Sequence, residues 1–390
     1  MKEKKLFTSE SVSEGHPDKV CDQIADAILD ECLRLDPAAH VACEVFATTE
    51  FVLIGGEISI AKGCHVDYEG IARKVLRGIG YTSKELGIGA DSCTVKVLVK
   101  QQSPDIAQGV NRGDPLEQGA GDQGIMFGYA TNESEGYMPL AIGVAHKLVR
   151  TATNLRKSGS FLHARPDMKS QVTIDYSDPK QPRIDTVLMS IQHDDIEDLE
   201  SFRAYIHDSI MVPVAASFGL NTDFRYFINP TGRFVIGGPE GDTGLTGRKL
   251  IVDTYGGASR HGGGAFSGKD PSKVDRSASY YARYIAKNLV AAGFADRCEI
   301  QLSYAIGVAE PISISVATFG TGKVSEDVML RAIREQFDAR PGAIIAQFQL
   351  TKPSFSYAAT ANYGCFGRPD LDLPWERLDK VESLKSYLKM

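Results

Sequence analysis

A glycine-rich stretch at residues 229–277 combines the residue types that bind polyphosphates. Twelve of the 38 glycines lie between Gly232 and Gly268, and glycine lets a backbone approach a ligand with its N–H groups facing inward. Interleaved cations supply charge and donors for phosphate oxygens; they are Arg233, Arg248, Lys249, Arg260, Lys269, Lys273 and Arg276. Mg²⁺ prefers one or two carboxylates plus phosphate oxygens and water; the carboxylates here are Asp242, Asp253, Asp270 and Asp275. The stretch predicts a polyphosphate held by backbone, cations and metal.

A solvated, turn-rich connection is the alternative interpretation of this stretch. A strand-like run at 249–253 argues against it, because long structureless loops are uncommon in compact domains. The GxxxxGK pattern at 263–269 is not a complete P-loop, since Asp270 replaces the Ser or Thr hydroxyl and Pro271 disfavours helical geometry before it. The GxGxxG pattern at 119–124 follows a polar segment instead of a buried strand, so we reject a dinucleotide-binding interpretation.

The segment before residue 36 predicts a helix over 17–35 with Pro17 in its first turn. This placement puts His16 and Asp18 at a helix N-terminus, where unpaired N–H groups favour an anion. A surface helix cap without a ligand is the alternative.

Other candidates lie outside regular periodic patterns or on apolar strand faces. Glu44 and Glu57 fall on apolar faces of a predicted hairpin, where a carboxylate needs a cation or metal unless that face is open. Asp167 and Lys169 stand two apart before a predicted strand and can point in one direction, with solvated loop charges as the alternative. The polar, turn-rich segment 101–115 predicts a mobile loop over a site.

Composition excludes several classes of protein. The chain has 390 residues, 43% of them hydrophobic, which suits two or three globular domains. A net charge of −7 argues against general binding to nucleic acid or membrane surfaces. Seven cysteines without CxxC pairs indicate reduced thiols. With no apolar leader and no membrane-spanning run, we expect a soluble, cytoplasmic protein.

The strands and helices that must position these residues alternate in mixed order along the chain, and the strands often form hairpins. This order predicts an α+β fold instead of a doubly wound sheet. The predicted helices are 17–35, 68–80, 139–157, 195–215, 279–292 and 326–337. The predicted strands are 41–47, 51–60, 93–100, 172–176, 183–192, 225–228, 299–308 and 312–318.

Four sequence blocks together resemble the S-adenosylmethionine synthetase family. They are His16–Lys19 (HPDK), Gly119–Ala130 (GAGDQGIMFGYA), Gly241–Lys249 (GDTGLTGRK) and Gly262–Ser277 (GGGAFSGKDPSKVDRS). The run GGGAFSGKDPSK is highly specific, and the resemblance extends from about Leu6 to Trp375.

The resemblance implies an enzyme that joins ATP and L-methionine. The methionine sulfur would attack ribose C5′, and the departing triphosphate would be hydrolysed to phosphate and pyrophosphate. Sulfur is already nucleophilic, so the difficulty lies in a leaving group that accumulates negative charge, for which preorganised cations are the expected solution. An ATP-dependent kinase or ligase and a non-catalytic nucleotide-binding regulatory protein are the alternatives.

Carried over residue by residue, the resemblance implies specific roles. The catalytic residues would be His16, Lys169, Arg248, Lys249 and Lys269. ATP would contact these five and also Asp167, Arg233, Phe234, Asp242 and Ala265. The methionine side would consist of Glu57, Gln102, Asp122, Asp242 and Lys273. Two Mg²⁺ ions per site would use Asp18 and Asp275, and one K⁺ per site would use Glu44.

The family fold implied by the resemblance has three similar α/β-layered domains with mixed sheets, related by pseudo-threefold symmetry and discontinuous in sequence. The N-terminal domain would be 1–13 plus about 132–236, and the central domain about 14–105 plus 237–276. The C-terminal domain would be about 112–131 plus 277–390, with 102–112 as a mobile gating loop. Two subunits would share active sites at their interface, as a dimer or a tetramer built from two dimers. The helix start at His16 and the GGGAFSGKD loop would then serve different subunits.

Overall fold

The computed structural model describes residues 3–101 and 115–389 of the chain. The predicted gating loop at 102–112, including Gln102, lies outside the described residues. The strands are β1 Leu6–Val12, β2 His40–Thr48, β3 Phe51–Ser59, β4 Thr94–Lys100, β5 Gly124–Thr131, β6 Ala164–Asp175, β7 Arg183–His193, β8 Arg225–Ile228, β9 Gly244–Leu245, β10 Arg297–Tyr304 and β11 Ser313–Ala317.

The α-helices of the described residues are α1 Pro17–Leu35, α2 Tyr68–Ile79, α3 Leu140–Lys157, α4 Leu199–Ile206, α5 Val212–Ser217, α6 Gly238–Gly241, α7 Leu250–Asp253, α8 Val274–Ala292, α9 Glu326–Gln336, α10 Pro341–Phe348, α11 Tyr357–Thr360 and α12 Val381–Lys385. A π-helical segment, His207–Met211, joins α4 to α5. Short 3₁₀ turns are Lys84–Leu86, Pro115–Glu117, Pro374–Glu376 and Ser386–Lys389. None of the described helices is long and apolar enough to cross a lipid bilayer.

The strands of the described residues form three sheets, each assembled from separated parts of the chain. Their strand orders are β1-β6-β7-β8, β4-β3-β2-β9 and β11-β10-β5. Two neighbouring pairs, β3–β4 and β7–β8, are parallel, and the others are antiparallel. One long helix packs against each sheet: α3 on the first, α1 on the second and α8 on the third. The predicted α+β fold is confirmed, while the domain boundaries and the pseudo-threefold relation stay predictions.

Local sequence signals set the ends of several elements. Pro17 occupies the first turn of α1, as predicted, and the His16 side chain also caps that helix. The β2–β3 hairpin closes tightly because Glu50 adopts a left-handed conformation with φ of +50°. Helix α8 ends at Gly293, whose φ of +91° suits a glycine helix terminus.

The C-terminal segment is part of the core. Trp375 is fully buried and stacks on Tyr280 of α8, with ring centroids 3.9 Å apart. Its indole N–H donates a hydrogen bond of 3.0 Å to the carbonyl of Cys365. All seven cysteines, each within the described residues, are free, and six are buried. These thiols therefore act mainly as small apolar groups in the interior.

The strand predicted at 249–253 is wrong, because α7 is one helical turn at these positions. The backbone N–H of Asp253 donates to the carbonyl of Lys249 at 2.9 Å, and the Thr254 hydroxyl donates to the carbonyl of Leu250 at 2.8 Å. The turn directs the buried Asp253 carboxylate to Lys19. A short apolar run fits a strand or a buried helical turn equally well, so its pattern alone could not decide.

Three other element starts differ from the prediction by at least four residues. Strand β6 begins at Ala164, so Asp167 and Lys169 lie within it. Its pairing with β7 shifts register between Ala164 and Met168, which breaks the alternation from which a strand is predicted. Helix α8 begins at Val274 instead of residue 279; the charged Asp275 and Arg276 in its first turn interrupt the apolar pattern on which the prediction relied. The helix predicted from residue 195 begins at Leu199, after the capping residue Asp198.

One buried histidine of the core should make stability depend on pH. His146 on α3 is 8% exposed, and its Nδ1 lies 2.8 Å from the Ser11 hydroxyl. Burial, followed by the charge of Arg368, lowers the pKa of His146 to about 3. The unfolded chain binds this proton near pH 6.5, so the contribution is complete above that pH and is lost as the pH falls from 6.5 towards 3.

We therefore expect His146→Gln to flatten the pH dependence of the free energy of unfolding. Between pH 6.5 and 5, the slope should decrease by up to about 1.4 kcal/mol per pH unit, because one buried neutral imidazole is removed. Urea denaturation at several pH values measures this slope, and an unchanged slope would contradict the assignment.

Candidate phosphate-binding site

The N-terminus of α1 gathers cations around one carboxylate. Lys249 Nζ lies 2.7 Å from Asp18 Oδ2, and Arg248 Nε lies 3.6 Å from Asp18 Oδ1. Burial acts to raise the pKa of Asp18, but the hydrogen bonds from Lys249 and from the backbone N–H of Leu245 outweigh it and lower that pKa. Asp18 is therefore ionised and can attract a metal ion.

The His16 imidazole is held neutral beside this carboxylate. Burial, followed by the positive charges of Lys249 and Lys169, lowers the pKa of His16 to about 3. Its Nδ1 accepts the backbone N–H of Asp18 at 3.1 Å, so the ring proton of the neutral form lies on Nε2. The Nε2–H group can donate a hydrogen bond at the start of the helix, where N–H groups favour anions.

A further part of the candidate site surrounds Asp167, which is 4% exposed. Its Oδ2 accepts the backbone N–H of Gly238 at 2.8 Å, whereas its Oδ1 is buried without a hydrogen-bond partner among the described residues. Burial raises the pKa of Asp167 to about 6. The charge of Asp242 also raises this pKa, whereas the charge of Lys169 lowers it. An unpartnered buried acceptor of this kind fits a ligand N–H or O–H donor.

The 233–238 segment beside Asp167 is anchored by its backbone. His193 Nε2 accepts the backbone N–H of Phe234 at 3.0 Å, and the backbone N–H of His193 donates to the Phe234 carbonyl at 2.9 Å. The Arg233 side chain is exposed and pairs with Asp195 at 2.5 Å. The segment is fixed in position, and its arginine faces outward. We call the group formed by His16, Asp18, Asp167, Lys169, Arg233, Phe234, Asp242, Arg248 and Lys249 the first group.

A second group surrounds the glycine-rich loop that precedes α8. Lys269 Nζ lies 2.6 Å from Asp275 Oδ2, and Lys273 Nζ lies 2.5 Å from Asp270 Oδ2. Gly264 packs directly against the Asp275 carboxylate, where any side chain would collide with it. Ala265 follows in the same loop and contacts Gly247.

The 119–124 turn and the β2–β3 hairpin complete this second group. Gly121 packs against the backbone of Ser272, which brings Asp122 close to the loop. Glu44 and Glu57 are exposed on one face of the second sheet, and the charge of Lys269 acts on Glu44. The second group therefore consists of Glu44, Glu57, Asp122, Ala265, Lys269, Lys273 and Asp275.

Within one chain the two groups lie on neighbouring loops, but their described charged side chains make no direct polar contact with each other. In residues 3–101 and 115–389, no ion pair or hydrogen bond joins a charged side chain of the first group to one of the second. The predicted Mg²⁺ ligands are divided between them, with Asp18 in the first and Asp275 in the second. The described residues contain no cluster of three or more His, Cys, Asp or Glu side chains suited to a metal. Single carboxylates fit Mg²⁺ when phosphate oxygens and water supply the other ligands.

The sequence interpretation missed the buried aspartates that support both groups. Asp22 and Asp26 on α1 are fully buried and bind the backbones of the loops that carry the lysines. Their signal was present in the sequence, since aspartates recur at residues 18, 22, 26 and 30, which is one face of a helix.

The glycine-rich loops, paired lysines and a helix N-terminus form a candidate phosphate-binding site on an α+β fold. Family models describe the same chain in three consecutive segments: the N-terminal domain of S-adenosylmethionine synthetase matches residues 4–104, the central domain 117–234 and the C-terminal domain 236–377. The chain belongs to the S-adenosylmethionine synthetase family. Each of the three sheets combines strands from two of these segments.

Relatives match the chain over nearly its whole length. An S-adenosylmethionine synthase from Mesoplasma florum is 63% identical, over 98% of this chain and 100% of the relative. The protein of the same name from Mycoplasma mycoides subsp. mycoides is 61% identical, over 99% and 98%. One from Clostridium botulinum is 55% identical, over 99% and 100%.

Proposed function

We propose that this chain is a methionine adenosyltransferase that makes S-adenosylmethionine from ATP and L-methionine. Family membership over the whole chain supports the overall reaction. The observation that carries the proposal is the set of cations at the N-terminus of α1, where Lys249 and Arg248 flank Asp18 beside a neutral His16. This arrangement suits a polyphosphate leaving group.

The protein's own side chains would stabilise the departing triphosphate. As the methionine sulfur attacks ribose C5′, the bond to the triphosphate oxygen breaks and negative charge develops there. Lys169, Arg248, Lys249 and Lys269 would meet this charge, and His16 would donate its Nε2–H to it. Water would then cleave the bound triphosphate into phosphate and pyrophosphate.

Metal ions would share in binding the phosphates. Asp18 and Asp275 would each hold one Mg²⁺, and Glu44 would hold K⁺. When bound, these ions supply positive charge to the phosphate oxygens. The carboxylates now pair with Lys249 and Lys269, so binding of metal and phosphate would exchange these contacts for new ones.

The remaining residues would orient the two substrates. The unpartnered Oδ1 of Asp167 supports a contact with adenosine, beside the anchored Arg233–Phe234 segment and Asp242. On the adenosine side, Ala265 would contribute the loop backbone. Glu57, Asp122 and Lys273, with Asp242 and Gln102, would bind methionine. Carboxylates near the sulfur also favour the sulfonium cation of the product.

The absence, among the described residues, of a polar contact between the charged side chains of the two groups supports an active site shared by two copies of the chain. The first group of one subunit would face the second group of its partner, as a dimer or as a tetramer of two dimers. Seven free cysteines support a reducing compartment, and we place the protein in the cytoplasm.

Product analysis by mass spectrometry tests the reaction. We expect purified protein with ATP, L-methionine, Mg²⁺ and K⁺ to yield S-adenosylmethionine with equal amounts of phosphate and pyrophosphate. Omitting methionine is the matched control. ADP, or AMP without a methionine adduct, would instead indicate a kinase or ligase, and bound ATP without turnover would indicate a regulatory protein.

A further inference from the structure

Helix α1 carries four aspartates at four-residue spacing, which we call the aspartate stripe. Side chains four residues apart lie one above the other on a helix. Each accepts a backbone N–H from a distant part of the chain: Asp18 from Leu245 at 3.0 Å, Asp22 from Gly247 at 2.9 Å, Asp26 from Gly268 at 2.8 Å and Asp30 from Tyr357 at 2.8 Å. One helix therefore holds three separate segments.

Asp22 fixes the loop that carries Arg248 and Lys249. Its Oδ1 accepts the N–H of Gly247, the residue directly before these cations, and its Oδ2 accepts a hydrogen bond from Lys19 Nζ at 2.9 Å. Lys19 also pairs with Asp253, at the end of the helical turn that follows Lys249. The loop is therefore tied to the helix on both sides of its cations.

Asp26 fixes the loop that carries Lys269. Its two oxygens accept hydrogen bonds of 2.8 and 2.6 Å from Arg276, and Oδ1 also accepts the N–H of Gly268. Arg276 in turn donates to the carbonyl of Lys269 at 3.0 Å. Asp26 and Arg276 are almost fully buried. The backbone is thus held immediately before and after the lysine side chain.

We propose that Asp22 and Asp26 are positioning residues that set where the phosphate-binding cations of the two loops stand. Their four-residue separation on α1 corresponds to about 6 Å along the helix axis. The inference rests on the proposed function, in which Arg248, Lys249 and Lys269 bind the triphosphate. It assigns Asp22 and Asp26 no contact with substrate.

Substitution by asparagine keeps the side-chain size and removes the charge. We expect Asp22→Asn and Asp26→Asn each to lower kcat for S-adenosylmethionine formation by about 10- to 100-fold, because small displacements of catalytic groups have effects of this size. The KM for ATP should change less than about threefold, since the loss concerns the transition state.

Asp30 offers a matched control on the same stripe. It makes the same kind of contacts, accepting N–H groups of Tyr357 and Ala358 and the Ser356 hydroxyl at 2.5 Å, but these belong to the C-terminal region. Asp30→Asn should lower the midpoint of thermal unfolding while kcat stays within twofold of wild type. An equal loss of kcat in Asp30→Asn would overturn the inference, because the stripe would then act only through stability.

Amide hydrogen exchange tests the same ties without substrate. Asp22→Asn should accelerate exchange in residues 245–249, Asp26→Asn in residues 266–270, and Asp30→Asn in neither loop. Wild-type protein without product would refute the proposed function, whereas wild-type activity with unchanged kcat and exchange in both variants would refute only the positioning role. If Asp26→Asn does not fold, Asp22→Asn decides the question.

Discussion

Replacing Lys269 by alanine should reduce kcat for S-adenosylmethionine formation by about 100- to 1,000-fold, the usual effect of removing one preorganised group that stabilises developing charge. The fold should persist, because the Lys269–Asp275 pair is partly exposed and such pairs contribute about 0–1 kcal/mol to stability. Initial rates and the midpoint of thermal unfolding measure the two effects separately.

Lys323→Ala is the matched control for this prediction. Lys323 also pairs with an aspartate, Asp296, at 3.0 Å, but both side chains are about half exposed and distant in sequence from the glycine-rich loop. Its kcat should equal that of the wild type. A Lys269→Ala variant with kcat within twofold of wild type would remove Lys269 from the site.

Mixing two inactive variants extends the test to the shared active site. If His16 and Lys269 of different copies form one site, a mixed dimer of His16→Ala and Lys269→Ala chains contains one site with both residues intact. Co-expression should then restore activity that neither variant has alone. If both residues served one site within a single chain, every site in the mixture would be defective and no activity would return.

Replacing Arg283 by methionine should lower the free energy of unfolding by about 3–5 kcal/mol, because it removes one of the two cations that pair with Glu376 and leaves three backbone carbonyls without their buried donor. Arg283 is fully buried on α8 and binds Glu376 through two hydrogen bonds of 3.1 and 3.0 Å. It also donates to three backbone carbonyls, of Tyr129, Gly136 and Tyr137, at 2.7 to 2.9 Å. Urea denaturation at pH 7 measures the change.

The exposed pair of Arg183 and Asp223 provides the comparison. Their atoms approach to 2.7 Å, but both side chains are more than half exposed. Arg183→Met should therefore change the free energy of unfolding by less than about 1 kcal/mol. Equal losses in the two variants would show that burial does not determine the contribution of Arg283.

Local signals made much of the fold predictable. Pro17 and the apolar spacing behind it locate α1, and Gly293 marks the end of α8, since caps and periodicity depend on neighbouring residues. The 249–253 run was assigned wrongly because its apolar pattern fits a strand and a helical turn equally well, while the partner of Asp253, Lys19, lies more than 200 residues away. Long-range contacts of this kind leave no periodic pattern in the sequence.

The candidate site was predictable as a set of residue types but not as an arrangement. Glycines, lysines and aspartates in 229–277 identify phosphate chemistry, and the family resemblance supplies individual roles. Their division into two groups depends on which loop meets which turn of α1. Asp22 and Asp26 were not predicted as supporting residues, because the sequence alone does not distinguish a buried aspartate from a solvent-exposed one.

The strand order has a consequence for the timing of folding during synthesis. Thr8 of β1 pairs with Thr173 of β6, 165 residues later, and β2 receives its edge partner only at Gly244–Leu245. Strand β5 can pair with β10 only after the chain has been synthesised beyond Arg297, where β10 begins. A growing chain therefore carries unpaired strand edges for most of its translation, and such edges are prone to aggregation. Ribosome-associated chaperones should accordingly raise the yield of this protein more than that of proteins whose sheets close locally.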